Sequence, residues 1–171
     1  MNIGSIVPLE DGLVNAIIET PKGSQNKFAY DPRPDLFLLK KTLPMGMMFP
    51  FDFGFIPNTR GEDGDPLDIL ILMDQQGVTG CLVKCRLLGV LEATQKEKDK
   101  KAVRNDRLVA VADRSILYSD VKNIKDLNKN MVKEIEQFFA DYNRHEGKVF
   151  EAVGWGSAHK AAKLIARAIQ V

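Results

Sequence analysis

Thiols and imidazoles are scarce in this 171-residue chain, which has two cysteines and two histidines. Cys81 and Cys85 stand four apart in an alternating apolar stretch. That spacing sends both to one face of a strand and favours buried free thiols over a disulfide. A cysteine metal pair would need two further ligands nearby, and the neighbouring sequence supplies none. His145 and His159 lie outside any metal-spaced cluster and read as surface residues. No apolar run approaches the roughly 20 residues that span a bilayer, and the opening MNIGSIVPLEDG lacks a basic segment followed by a long apolar one. A cytoplasmic protein with no membrane partner is therefore expected. The net charge of +1 provides no field for a nucleic-acid or membrane surface.

What is present is the composition of an ordinary globular protein, 44% hydrophobic and 27% charged, without internal repeats or low-complexity segments. The length suits a single domain over residues 1–171. The first two thirds read as short strands: Leu13 to Thr20, Lys27 to Tyr30, Leu36 to Leu39, Phe49 to Ile56, Leu67 to Met73, Leu82 to Leu91 and Arg107 to Val111. Pro32, Pro34, Pro44, Pro57 and the Gly61 to Pro66 cluster punctuate them. The period then changes. Met131, Ile135, Phe138, Phe139 and Tyr142 recur at helical spacing, and a second helical pattern follows Ser157, a candidate N-cap. The expected fold class is α+β, mainly β: a small barrel with two C-terminal flanking helices.

Two charged stretches stand out. Residues 96–107, KEKDKKAVRNDR, carry six basic and three acidic side chains and read first as a solvated loop, second as an anion-facing lid. In GEDGDPLDILILMD, residues 61–74, a turn presents Asp63, Asp65 and Asp68 ahead of an apolar strand. Such residues are also good turn formers that stay solvated. If the three carboxylates converge, their repulsion is relieved by a divalent cation, and oxygen ligands select Mg²⁺, Mn²⁺ or Ca²⁺. An EF-hand loop is a poor fit, because Asp68 stands where that loop needs glycine, Asp74 where it needs a bidentate Glu, and no helix precedes it.

The segment EDGDPLDIL resembles the signature of the family I soluble inorganic pyrophosphatases. Glu19 in IIETPKGS, Lys27 ahead of Tyr30 and Asp31, MFPFDFGFIP at 48–57, CRLLGVL at 85–91, FFADY at 138–142 and GKVFEAVGW at 147–155 follow that family in order. The resemblance covers nearly the whole chain and implies an OB-like β-barrel that hydrolyses pyrophosphate to two phosphates with Mg²⁺, Mn²⁺ being a second candidate. Carried over residue by residue, it implies that Asp63 and Asp68 ligate the central metal, with Asp68 reaching a second. Asp65, beside the metals, orients or deprotonates the attacking water, and Glu19 holds an outer cation. Lys27, Lys41, Tyr142 and Arg107 bind phosphate. Family members from bacteria assemble as hexamers, so a homo-oligomer is expected, although Gln137 and Asp141 stand where many carry interface histidines.

This chain departs from the family's pattern around that site. Ala29 replaces a metal-binding Glu, Lys41 a phosphate-binding Arg, Phe49 and Phe53 two tyrosines, and Asn143 a Lys. In the basic stretch Gln95 and Asn105 take the places of two Asp and Arg107 that of a Lys, while Asp99 or Asp106 offers a carboxylate from a shifted position. Two other readings follow: a catalytically weakened relative that binds a phosphorylated ligand or cleaves another phosphoanhydride, and a nucleic-acid-binding OB module using Phe49, Phe51, Phe53 and Phe55 on one strand face. Four phenylalanines on one strand are more often core, and the near-neutral charge disfavours nucleic acid.

Overall fold

Apolar runs bounded by turn residues become ten strands within residues 3–170, which the computed structural model describes. In chain order they are β1 (Leu9–Glu10), β2 (Leu13–Thr20), β3 (Asn26–Asp31), β4 (Leu36–Thr42), β5 (Asp52–Phe55), β6 (Asp68–Leu72), β7 (Leu82–Lys96), β8 (Val103–Arg104), β9 (Arg107–Ala112) and β10 (Val149–Ser157). The helices are α1 (Lys129–His145) and α2 (Ala158–Ala168). Strand β2 pairs with β5, β5 with β6, β6 with β9 and β9 with β7, and β7 returns to β2, so the sheet closes on itself as an OB-like barrel. The β6–β9 pair is parallel; the other pairs of the ring are antiparallel. Strands β3 and β4 form a separate hairpin.

Alternation along the strands sorts the side chains into two cores. Val14, Ile18, Ile56, Ile69, Ile71, Cys85, Val90, Leu108 and Ala110 form a cluster fed from every side of the ring, so it fills the barrel, and α2 packs Ala161 and Ile165 onto it. The alternate residues Leu70, Leu72, Val109 and Val111 face outward and are covered by Ile135 and Phe139 of α1. Ile135 and Ile165 are fully buried, and truncating either to Ala would cost about 2–5 kcal/mol. A Cβ at Gly54 would lie 2.0 Å from the Ile17 carbonyl oxygen, so only glycine lets β5 approach β2 this closely. Ser157 caps α2 as expected, its Oγ accepting from the Lys160 amide at 3.3 Å.

Three expectations change. Phe49 and Phe51 precede β5 rather than extend it. All four phenylalanines of that run are buried, Phe49, Phe51 and Phe53 in the outer cluster and Phe55 with Ile3 and Ile17, which removes the stacking platform. Strand β10, between the helices, was not anticipated. Cys81 is exposed because β7 begins one residue later, whereas Cys85 is buried and its thiol pushed up by desolvation. Among the described residues no helix is long and apolar enough to cross a membrane.

Candidate active site

The outward parity of the ring strands gathers the charged residues. Asp68 begins β6 and shares the face of Leu70 and Leu72, while Arg107 begins β9 and shares the face of Val109 and Val111. Parallel register sets Asp68 beside Arg107, and their side chains pair at 2.8 Å. Arg107 is 6% exposed in its side chain, and its guanidinium carbon lies 5.2 Å from the centre of the Phe139 ring. Its Nε is buried without a hydrogen-bond partner among the described residues, a cost of about 1–3 kcal/mol in a cation already removed from water.

The acidic turn is held by its own backbone. The Gly61 amide donates to the Asp65 carbonyl at 2.8 Å and the Gly64 amide to the Gly61 carbonyl at 3.2 Å, with Gly64 at φ +92°. The Asp65 amide donates to Asp63 Oδ1 at 3.2 Å, and the Leu67 amide to the buried Thr59 hydroxyl at 3.0 Å. These bonds leave the Asp65 and Asp68 carboxylates free of backbone partners among the described residues. Desolvation raises the Asp68 carboxyl above the usual range, with Glu19 and Asp65 adding repulsion and Arg107 and Lys27 opposing it. Asp63 is raised the same way, first by desolvation and then by Asp68 and Asp65.

Glu19, near the end of β2, is 8% exposed. It accepts from the Tyr30 amide at 2.8 Å and from Lys27 Nζ at 3.0 Å, so it ties the β3–β4 hairpin to the barrel. Lys27, a surface lysine by pattern alone, is 12% exposed in its side chain. Its ammonium lies 4.2 Å from the Phe53 ring centre and 5.8 Å from that of Phe49. Those two rings, which lack the hydroxyls expected there, grip the ammonium by their faces.

Tyr142 comes from α1. Burial first, then the negative charges of Glu146, Asp68 and Glu19, push its hydroxyl well above the ordinary phenol range. It therefore stays a neutral hydrogen-bond donor at any physiological pH. Lys41, on β4, sits 3.8 Å over the Tyr142 ring and pairs with Glu146. Burial lowers its pKa, Glu146 counters, and Lys148 and Lys27 lower it further.

The segment from β7 through β8 to β9 supplies the opposite wall. Asn105 Nδ2 donates to Gln95 Oε1 at 3.0 Å, and Arg107 donates to Asn105 Oδ1. Two carbonyl-bearing amides thus satisfy each other where carboxylates would repel. The alternative lid ligands are occupied elsewhere: Asp106 accepts from the Ala93 amide at 2.9 Å and from Arg104 at 3.0 Å, and Asp99 lies exposed beyond β7 at φ +62°. Ala29 offers no ligand, and Asn143 is buried with its Nδ2 donating to the Phe139 carbonyl at 2.8 Å. His145 and His159 are exposed. A cavity of about 490 Å³ opens beside the acidic turn, lined by Asp63, Asp68, Asn105 and Lys160 among others.

Among the described residues no three Asp, Glu, His or Cys side chains are yet drawn to metal-ligand spacing. The donor set nevertheless suits a hard divalent cation: Glu19, Asp63, Asp65 and Asp68 supply carboxylate oxygens, and Asp68 meets repulsion from Glu19 and Asp65 that Arg107 and Lys27 oppose. Glu146, Lys148 and Glu97 escaped the sequence reading. The one local signal for Glu146 is its place at the C-terminal end of a helix, where a carboxylate opposes the macrodipole.

Residues 16–171 match the family model described as inorganic pyrophosphatase. The chain is 36% identical over 159 residues to an inorganic pyrophosphatase of Synechocystis, covering 93% of this chain and 91% of that one. It is 37% identical over 158 residues to one from Halalkalibacterium halodurans, covering 92% and 93%. The crystal structure of the Thermus thermophilus inorganic pyrophosphatase superposes with a TM-score of 0.89 at 29% identity, covering 99% of this chain and 97% of that one. The fold, the ordered motifs and these matches agree, and the chain belongs to the inorganic pyrophosphatase family.

Proposed function

We propose that this site hydrolyses inorganic pyrophosphate to two phosphates. The observation that carries the reading is one mouth at which self-repelling carboxylates face lysine, arginine and phenol donors, in a chain of this family. A hard divalent cation, magnesium or manganese, held by Asp63, Asp68, Asp65 and Glu19, would neutralise the diphosphate and acidify water. Asp65, with no backbone donor on its carboxylate, is the base that orients the attacking water and takes its proton. Lys27 and Lys41 hold phosphate oxygens as point charges, Tyr142 donates its hydroxyl, and Arg107 offers a guanidinium aligned by Asn105 and Asp68. The apolar rings of Phe49 and Phe53 behind Lys27 keep water from competing for its charge.

The test is phosphate release from pyrophosphate across a wide Mg²⁺ and Mn²⁺ titration, with Asp65→Asn alongside. Release is expected, and the substitution should lower it by about 10²–10⁴-fold, the usual contribution of a general base. No release at any metal concentration would instead favour a protein that only binds a phosphorylated ligand. We also propose a cytoplasmic homo-oligomer; the exposed Leu36, Leu39, Met45 and Met48 on and after the β3–β4 hairpin support a covered surface there.

A further inference from the structure

Glu146 terminates α1 at φ −92°, ψ 5°. The last carbonyls of a helix carry partial negative charge, so a carboxylate there gains nothing from the helix itself. Its partners lie elsewhere. Oε1 pairs with Lys41 of β4, and Oε2 lies 3.9 Å from Lys148. Lys148 in turn pairs at 3.3 Å with Glu97, just past the end of β7. A chain of alternating charge thus runs from the hairpin across the helix end to the segment beyond β7. It borders a cavity of about 280 Å³ that Lys41, Leu43, Met47, Tyr142 and Glu146 help to line.

Within that chain the Lys41 ammonium touches the Tyr142 ring and the Glu146 carboxylate. The ring holds the ammonium by its face and leaves its N–H donors free, whereas the carboxylate takes one of them and offsets the charge. A carboxylate and a phosphate oxygen make the same demand on an ammonium, for charge and for N–H donors. The two compete for its charge, because a carboxylate on the ammonium also repels an arriving phosphate. Glu146 is 30% and Lys41 27% exposed in the side chain, so the pair can open into solvent without moving the fold.

We propose that Glu146 is an internal competitor for the substrate clamp, occupying Lys41 in the empty site and leaving it when a phosphate oxygen arrives. Glu146 thereby sets substrate affinity without taking part in the chemistry. The inference rests on the reading of Lys41 as a phosphate-binding residue. Once substrate is bound the pair is already broken, in the ground state and in the transition state alike. Removing the carboxylate should therefore lower KM and raise kcat/KM while kcat holds. A partly exposed ion pair sets the scale at about two- to fivefold.

The experiment compares wild type, Glu146→Gln, Lys41→Met and the double variant, by steady-state pyrophosphate hydrolysis and by calorimetric binding of methylenediphosphonate, which cannot be hydrolysed. Thermal melts check that each variant folds. Glu146→Gln should lower KM and the diphosphonate Kd together, and should have no effect when Lys41 is already Met. An unchanged or raised KM in Glu146→Gln would overturn the proposal, a rise meaning that the carboxylate positions Lys41 rather than competes for it. A wild type that binds the diphosphonate without hydrolysing pyrophosphate would sink the proposed function alone, and the Kd comparison would still decide the role of Glu146. If no variant binds or hydrolyses, both readings fall.

Discussion

The two walls of the active-site mouth solve opposite electrostatic problems. On the barrel wall, desolvation and neighbouring carboxylates raise the Asp63 and Asp68 carboxyls, opposed at Asp63 by the Asp65 amide and Arg107 and at Asp68 by Arg107 and Lys27. On the facing wall, Gln95 and Asn105 are joined by a hydrogen bond and Arg107 donates to Asn105, so two amides stand where carboxylates could. One wall therefore offers carboxylates to a cation, and the other offers amides in their place. Arg107 belongs to both. In the function proposed above, the acidic turn and Glu19 would take the cation while a fixed guanidinium serves the other side.

That contrast can be broken first at the shared residue. Arg107→Ala leaves Asp68 without its ion-pair partner and strips a cation from the faces of Phe139 and Phe150. Urea denaturation of the metal-free protein should show a loss of about 3 kcal/mol, the lower end for breaking a buried pair; a loss under about 1 kcal/mol would mean that the two walls are not coupled through it. A smaller effect is expected when the neutral wall is made acidic. Gln95→Glu with Asn105→Asp replaces a 3.0 Å amide–amide bond by two facing carboxylates. The metal-free protein should lose about 1–2 kcal/mol, and Mn²⁺ should restore it in the variant more than in the wild type. Equal recovery in both would show that this wall does not bind cations even when given ligands.

The smallest effect concerns a carboxylate that serves as a control. Asp52 is 1% exposed, accepts from the Gly77 and Lys22 amides at 2.9 and 3.2 Å, and has its pKa raised mainly by desolvation. A raised folded pKa contributes stability that is complete below the unfolded value of about 3.9 and is lost as pH rises through the folded value. Asp52→Asn keeps an oxygen for both amides and cannot ionise. From pH 4 to 7 the stability of the wild type should therefore fall relative to the variant, and the gap should close again on acidification. A gap that widens toward low pH would reverse the sign assigned to this group.

Much of the fold was legible because burial writes itself into the residues. Strand β2 spans Leu13–Thr20, the boundaries that its apolar run implied, since seven of its eight residues are buried. The acidic turn was legible for the same local reason, with Gly64 at positive φ and the Asp63 side chain capping the Asp65 amide. Strand β10 was not, because its buried positions, Phe150 and Gly156, are six apart and a register shift falls between Ala152 and Gly154. The Gln95–Asn105 bond joins residues ten apart across a turn, and Glu146 meets Lys41 only because the C-terminal end of α1 comes beside the end of β4. Such pairings belong to the tertiary structure, and no local pattern announces them.

Strand β7 pairs at its start with β2, in its middle with β9 and at its end with β8 and β10. Its fifteen residues are thus the one stretch on which every late-arriving strand must register. Joining Val14 to Cys85 closes a loop of about 70 residues, an entropic cost that must be met before the pairing returns any free energy. Strand β9 is fixed from two sides, by β7 and by β6, and the pairing with β6, 39 residues away along the chain, is what sets Arg107 beside Asp68. The candidate site is therefore assembled by long-range pairings, and catalytic competence should lag behind the local structure of the chain during folding.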